Sequence, residues 1–456
     1  MKSSFKLALA VAAAIAVASC GKKEEAPAPK AADAKPAAPA GLTVTIAHAG
    51  PLTGSIAHLG KDDENGVALA VENANKAGIK LGGQAVTFKM VSEDDQADPK
   101  VGTTVAQKLV DAKVAAVVGH LNSGVTIPAS DIYAKAGIPV ISGSATNPTL
   151  TERGLKNVFR TVGRDDQQGP AIAAYIAGEL KGKKVAIIDD KTAYGEGIAN
   201  EVEKTLKAAK VNIVARERTT DKETDFKSIL TKIKGKSPDV VFHGGMDATG
   251  GPMLKQAREL GIKAVFAFGD GACTNEMSKL AGPASEGMAC SQAGLPAEAA
   301  SKEFKDQFTA KYGEIKQYAP YFYDGAWAMI EAMKKADSAD PAKFVPMIGQ
   351  VSFTGSTGKV EFDAKGDRKD AEMTIFRMGK DGKIVPVAIV KNGVSTPFGA
   401  PAPAAAAPAA AAPAAAAAPA AAPMVPAALA TTPSTSAPGG GTSGAHMPEK
   451  KDEKKK

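Results

Sequence analysis

The residues with binding chemistry fall in three short stretches, each directly after an apolar run. His120-Leu121-Asn122-Ser123-Gly124 follows VAAVVG, Gly143-Ser144-Ala145-Thr146-Asn147-Pro148 follows IPVIS, and Gly269-Asp270-Gly271 follows AVFAF. An α-amino acid zwitterion needs N–H and O–H donors for its carboxylate and an acceptor or anion for its ammonium. Ser123 opens a helix whose free N–H groups and dipole favour a carboxylate, and its hydroxyl adds a donor. Thr146 is a second hydroxyl donor, and the Ser144 carbonyl can accept from an ammonium. Asp270 supplies the anion; each charge-assisted bond of this kind is worth about 1.5–3 kcal/mol. Taken alone, a Ser-Gly at a helix start is a cap and an Asp between glycines is a turn. Their shared placement at strand ends is what makes them a candidate site.

The elements that must position these loops alternate regularly. TVTIAHA precedes a helical stretch at about 60–77, QAVTFKMV one at about 99–112, and VAAVVG one at about 125–136, after which comes IPVIS. A second series begins after Arg164: a helix at about 167–180, KKVAIID, a helix at 197–209, NIVARE, a helix at 225–233, DVVFHG, a helix at 250–260, and AVFAF. The segment 304–348 is helical, and KVEFD and MTIFRM follow it as strands. Strand–helix alternation with buried apolar strands predicts an α/β fold, here two doubly wound parallel-sheet lobes joined by a hinge. The first lobe takes residues 42–163 and 292–373, the second 164–291 and 374–398. Open α/β sheets bind ligands beyond the carboxyl ends of their strands, so the cleft between the lobes is where the three loops should meet. A carboxylate held by one lobe and an ammonium held by the other would favour a closed cleft.

The ends of the chain have a different composition. Lys2 and Lys6 precede an apolar stretch from Leu7 to Ala18 that is too short to span a bilayer, the pattern of a signal peptide over 1–19. Val17-Ala18-Ser19-Cys20 resembles a lipobox, which makes Cys20 the expected lipid anchor and the membrane a partner through that lipid. Residues 20–41 are rich in Lys, Glu, Ala and Pro and read as a disordered tether; residues 399–456, with their Ala/Pro runs and charged end, read as a disordered tail. The chain has 456 residues and a net charge of +7. Part of that excess lies in the leader and terminal lysines, and no basic stripe interleaves with aromatics, so a nucleic-acid partner is not expected. With Cys20 acylated, Cys273 and Cys290 form an even pair in an oxidising compartment, and a disulfide between them is expected.

Catalytic signatures are missing. There is no G-x-S-x-G elbow and no Walker loop, and Gly195-Glu196-Gly197-Ile198-Ala199-Asn200 lacks the third glycine of a dinucleotide fingerprint. The five histidines, His48, His58, His120, His243 and His446, have no metal-ligand spacing, so neither metal nor cofactor is implied. His120 and His243 sit at strand ends where a general base could stand, but an enzyme is not the expected class.

The stretch VVGHLNSGVTIPASDIYAKAGIPVISGSATNPTLTERG resembles the leucine/isoleucine/valine-binding proteins, the type I periplasmic solute-binding proteins of branched-chain amino-acid ABC transporters. The likeness continues through DDQQGP, DKTAYGEG, LKQARELGIK and EFDAKGD, over most of the region between tether and tail. It implies a monomeric, periplasmic protein that passes a small amino acid to permease subunits in the inner membrane. It also implies that Ser123 and Thr146 bind the ligand carboxylate, that the Ser144 carbonyl, beside Ala145, helps with the ammonium, and that Leu121 and Asn122 line the pocket. Tyr194 matches a family tyrosine that closes from the second lobe, and Tyr318 an aromatic wall position. In three places the chain departs from the family pattern. Asp270 stands where well-known members carry glutamate, and Leu59 and Met246 stand where aromatics are common, which implies a pocket with more room or a more adaptable wall. Proteins of this fold also bind amides, urea and aromatic or aliphatic carboxylates, for uptake or as sensors. The pairing of hydroxyl donors with Asp270 favours a zwitterion, because a ligand without an ammonium would leave Asp270 buried and unpaired.

Overall fold

The computed structural model describes residues 41–399. The leader, Cys20, the tether before Gly41 and the tail after Gly399 lie outside the described residues. The chain opens with β1 (Leu42–Gly50), α1 (Ala57–Lys76), β2 (Lys80–Leu81), β3 (Gln84–Asp94), α2 (Pro99–Asp111), β4 (Ala116–Gly119), α3 (Ser123–Ala136), β5 (Val140–Ser142), α4 (Thr149–Glu152) and β6 (Val158–Arg160). These strands form one sheet in the order β2-β3-β1-β4-β5-β6, parallel throughout except for the β2–β3 pair. β4 is buried along its whole length while β3, beside the edge, alternates between buried and exposed residues, as expected of a sheet covered by helices at its centre. Local signals set the helix ends. Pro99 begins α2 behind Asp98, whose carboxylate accepts from the Lys100 N–H at 2.8 Å, and α3 stops at Gly137 in the left-handed region.

After β6 the chain crosses to a second lobe: α5 (Asp165–Ala177), β7 (Lys184–Asp189), α6 (Ala193–Ala208), β8 (Asn212–Arg218), α7 (Lys227–Lys234), β9 (Val240–Gly244), α8 (Asp247–Glu259), β10 (Val265–Phe268), α9 (Glu276–Ala281) and β11 (Ala289–Gln292). It then returns to the first lobe with α10 (Lys302–Tyr312), α11 (Ala319–Ala336), α12 (Pro341–Ile348) and the hairpin β12 (Ser352–Gly355) and β13 (Gly358–Glu361). α11 lies against α1, and the two approach so closely at Gly66 that a Cβ there would stand 2.3 Å from the Ala319 carbonyl oxygen. A third crossing leads to β14 (Met373–Met378), β15 (Ile384–Lys391) and β16 (Val394–Pro397), which complete the second sheet in the order β16-β15-β14-β11-β10-β9-β7-β8.

The second sheet differs from the sequence reading at one edge. β14, β15 and β16 are antiparallel, β14 to β11 and then each to the next. The segments between them are too short for a helical crossover, and Asn392-Gly393 turns the last pair with both residues at positive φ, so only antiparallel pairing is available. Gln292 and Met373, assigned from sequence to the first lobe, belong to the second sheet: Gln292 pairs with Thr374 and Met373 with Val390. The crossings themselves are stitched together, the Gly163 N–H donating to the Ala293 carbonyl at 2.8 Å and the Thr374 hydroxyl to the Gly294 carbonyl at 2.7 Å.

Cys273, just after the Asp270 turn, is disulfide-bonded to Cys290 on β11. A chain produced without residues 1–20, denatured but not reduced, is therefore expected to show no titratable thiol. Two reactive thiols would rule out the bridge.

Candidate ligand-binding site

In the first sheet the strand order reverses at β1, between β3 and β4, and the loop after β4 opens at that switch point. His120 is locked there: its ring nitrogens lie 2.7 Å from Asp95 Oδ2 and 3.1 Å from the Tyr133 hydroxyl. The Ser142 hydroxyl donates to the His120 carbonyl at 2.7 Å and accepts from the Ala145 N–H at 2.9 Å. The Ser144 hydroxyl donates to the Leu121 carbonyl at 2.9 Å, and Ser123 Oγ accepts from the Asn147 N–H at 3.2 Å. Two loops predicted from sequence are thus sewn into one surface. Arg160, fully buried, holds it from below, donating to the carbonyls of Ala145 at 2.6 Å and Asn147 at 3.0 Å.

The second lobe presents Asp270, which is 1% exposed. Its carboxylate accepts from the hydroxyl of Tyr194 on α6 and from that of Tyr318, each at 2.7 Å. Tyr318 stands at the start of α11 in the first lobe, so Asp270 is gripped from both sides of the cleft. Gln317 adds a bond from its side-chain amide to the Asp270 carbonyl at 2.9 Å. Burial pushes the Asp270 pKa up, and the tyrosine hydroxyls act against that rise. Burial and then the Asp270 charge push both tyrosines well above their usual value, so they stay neutral donors. The flanking glycines make the approach possible: a Cβ on Gly269 would stand 2.5 Å from the Tyr194 hydroxyl, and one on Gly271 2.6 Å from Met246 Sδ.

Eight of the eleven ligand-binding residues named from sequence line one small cavity: Leu121, Asn122, Ser123 and Ser144 from the first lobe, Tyr194, Met246 and Asp270 from the second, and Tyr318. With the tyrosines turned onto Asp270, that cavity is barely the size of a water molecule. The other three stand behind its wall. Leu59 is fully buried in the core of the first lobe, Ala145 is tied by its backbone to Ser142 and Arg160, and the buried Thr146 hydroxyl has no hydrogen-bond partner.

Sequence reasoning missed the groups that place these side chains. Asp62 on α1 accepts from the N–H groups of Lys316, Gln317 and Ala319 at 2.8–2.9 Å and so fixes the turn that carries Gln317 and Tyr318. Asp165 at the start of α5 is a further buried carboxylate, with neither oxygen hydrogen-bonded. Burial, then the charge of Asp270, pushes its pKa well above the usual carboxylate value. The DDQQGP run was its only local signal. His243 is buried with both ring nitrogens unpartnered and its pKa lowered to about 4 by burial, which leaves it a neutral core side chain.

Two α/β lobes connected by three crossings, with polar loops from both meeting in the cleft, define a two-lobed solute-binding protein. The chain belongs to the periplasmic binding protein family, whose model matches residues 43–383. It is 40% identical over 337 residues to the Leu/Ile/Val-binding protein homolog 2 of Brucella abortus, covering 73% of this chain and 90% of that one. It is 37% identical over 341 residues to the leucine-, isoleucine-, valine-, threonine- and alanine-binding protein of Pseudomonas aeruginosa, covering 74% and 91%. Among solved structures, the branched-chain amino acid transporter substrate-binding protein of Streptococcus pneumoniae in complex with isoleucine superposes with a TM-score of 0.69 at 30% identity, over 76% of this chain and 99% of that one.

Proposed function

We propose that this protein captures a small aliphatic amino acid, with branched-chain residues foremost, and delivers it to the permease of an ABC transporter. The observation that carries this reading is the division of polar groups: Ser123 and the α3 N-terminus on one lobe suit a carboxylate, and the buried anion Asp270 on the other suits an ammonium. Leu121 and Met246 offer the apolar wall between them. In this reading the ammonium takes over acceptor capacity on Asp270 that the tyrosine hydroxyls now use, and the tyrosines swing aside to cover the aliphatic side chain. Ligand bridging the lobes then shifts the equilibrium toward the closed cleft. We assign the protein to the periplasm as a monomer, held to a membrane through a lipid on Cys20.

Thermal-shift measurements on ligand-stripped protein against the twenty amino acids, urea, short amides and aromatic acids test the reading. A ligand at a hundred times its Kd adds about 2.7 kcal/mol to stability. A shift from leucine, isoleucine, valine and close neighbours is expected. Silence from every amino acid, with a shift from an amide or an acid, would refute the assignment to amino acids.

A further inference from the structure

Apart from the site itself, one titratable pair joins the lobes beside it. His58, on α1 of the first lobe, places Nε2 2.8 Å from Asp247 Oδ2 on α8 of the second. The pair adjoins the cavity wall on one side, since Asp247 follows Met246, and the core leucine Leu59 on the other. The Asp247 side chain is fully buried and that of His58 only 22% exposed, so water screens the contact weakly. The same Asp247 oxygen accepts from the Thr274 hydroxyl at 2.7 Å. Thr274 follows Cys273, whose disulfide ties that segment to β11. The link therefore runs from α1 through Asp247 into the segment that carries Asp270.

We propose that His58 is a positioning residue for cleft closure: its protonated ring, bonded to Asp247, latches the two lobes in the closed arrangement and so tightens ligand binding as pH falls. Opening the cleft would separate α1 from α8 and return both groups to water.

The charges facing His58 from each neighbouring element fix the sign. Burial pulls its pKa down, but the hydrogen bond and charge of Asp247 on α8 and the charge of Glu276 on α9 outweigh that, against opposition from Lys316 before α11; the balance is a raised value. Glu276 is partnered by Lys279 and Lys316 by Glu314. A histidine whose pKa is higher in the closed form favours closure fully below its open-form value, about 6.5. It loses that contribution as pH rises through the raised closed-form value. Two other bonds between the lobes rest on side-chain amides, which do not titrate, while the Tyr318–Asp270 bond is shared by wild type and variants, so the latch is the part of the slope that the variants lose. The Asn147 side-chain amide donates to the Ala193 carbonyl at 2.6 Å, and Asn275 pairs with Glu314 at 3.1 Å. The pKa of Asp190 is raised to about 6, mainly by burial, but its bonds to Thr192 lie within the second lobe and do not change on opening.

The inference rests on the proposed two-lobe binding role, and two readouts separate their failures. The full-length chain, as wild type, His58→Gln and Asp247→Asn, is titrated with leucine from pH 5.5 to 8.5. In parallel, spin labels placed one on each lobe report cleft opening without leucine. Wild type should bind leucine roughly two- to tenfold more tightly at pH 5.5 than at pH 8.5, and its ligand-free closed fraction should likewise be larger at pH 5.5. Both variants should lose the slope, while His58→Gln still binds leucine at about the wild-type affinity of pH 8.5. A flat wild-type profile, or an unchanged slope in His58→Gln, overturns the latch. pH-dependent closure that vanishes in the variants, without leucine binding at any pH, upholds the latch and removes only the amino-acid reading.

Discussion

Asp270→Asn is expected to weaken leucine binding by roughly 30- to 1,000-fold, the loss of about 2–4 kcal/mol that follows when one member of a buried, hydrogen-bonded charge pair is neutralised. The substitution preserves shape and leaves an oxygen to accept from one tyrosine, so the fold has little reason to change. It removes the carboxylate that both tyrosines grip, while burial and Asp270 itself push the pKa of nearby Asp165 upward. It also leaves an amide N–H₂ facing a tyrosine hydroxyl that now donates at 2.7 Å. Calorimetry with leucine and with 4-methylpentanoate, the same skeleton without the ammonium, isolates the charge. The carboxylate should bind the variant no worse than it binds wild type. Equal losses for both ligands would mean that Asp270 holds the cleft together and does not read the ammonium.

The second large effect concerns stability. Arg160→Met is expected to cost about 3–5 kcal/mol of folding free energy, the usual consequence of removing one partner from a buried ion pair. Arg160 is fully buried and every nitrogen of its guanidinium is hydrogen-bonded. It pairs with Asp367 at 2.7 Å, donates to the Thr151 hydroxyl at 2.8 Å, and bonds the carbonyls of Ala145 and Asn147. Methionine fills most of the volume but satisfies none of these acceptors. Asp367 keeps Arg164 at 2.7 Å, which holds the loss inside this range. Urea unfolding measures it, and a change below about 1 kcal/mol would show that water replaces the guanidinium. Because the two carbonyls flank Thr146, the same variant should also loosen the carboxylate loop.

Much of this arrangement could be read from the chain because it is local. Buried runs such as VVFHG and AVVG can only be central strands of covered sheets, and the loops behind them carry Ser123, Ser144 and Asp270 for the same reason that strand ends face a cleft. What escaped is pairing between distant positions. Asp62 and Gln317 are 255 residues apart, and His58 and Asp247 are 189 apart. No periodicity marks an aspartate on a helix as the acceptor for a turn from a distant part of the chain. The depth of Leu59 is of the same kind: the helical pattern gives its face, but only the fold shows it in the same buried cluster as Leu121, Tyr318 and Phe322. The antiparallel edge of the second sheet does have a local signal in the hairpin turn Asn392-Gly393.

The three crossings between the lobes limit how they can move. Their neighbouring strands are bonded to one another at Gly163–Ala293 and Gly294–Thr374. Two bodies tethered at several adjacent points can rotate about the line through those points, but they can neither swivel nor slide without tearing the bonds between the tethers. In the proposed closing motion this would leave close to a single degree of freedom, and the state of the molecule would reduce to one angle. A partner that rests on both lobes at once could then read occupancy from that angle alone, without touching whatever lies between them.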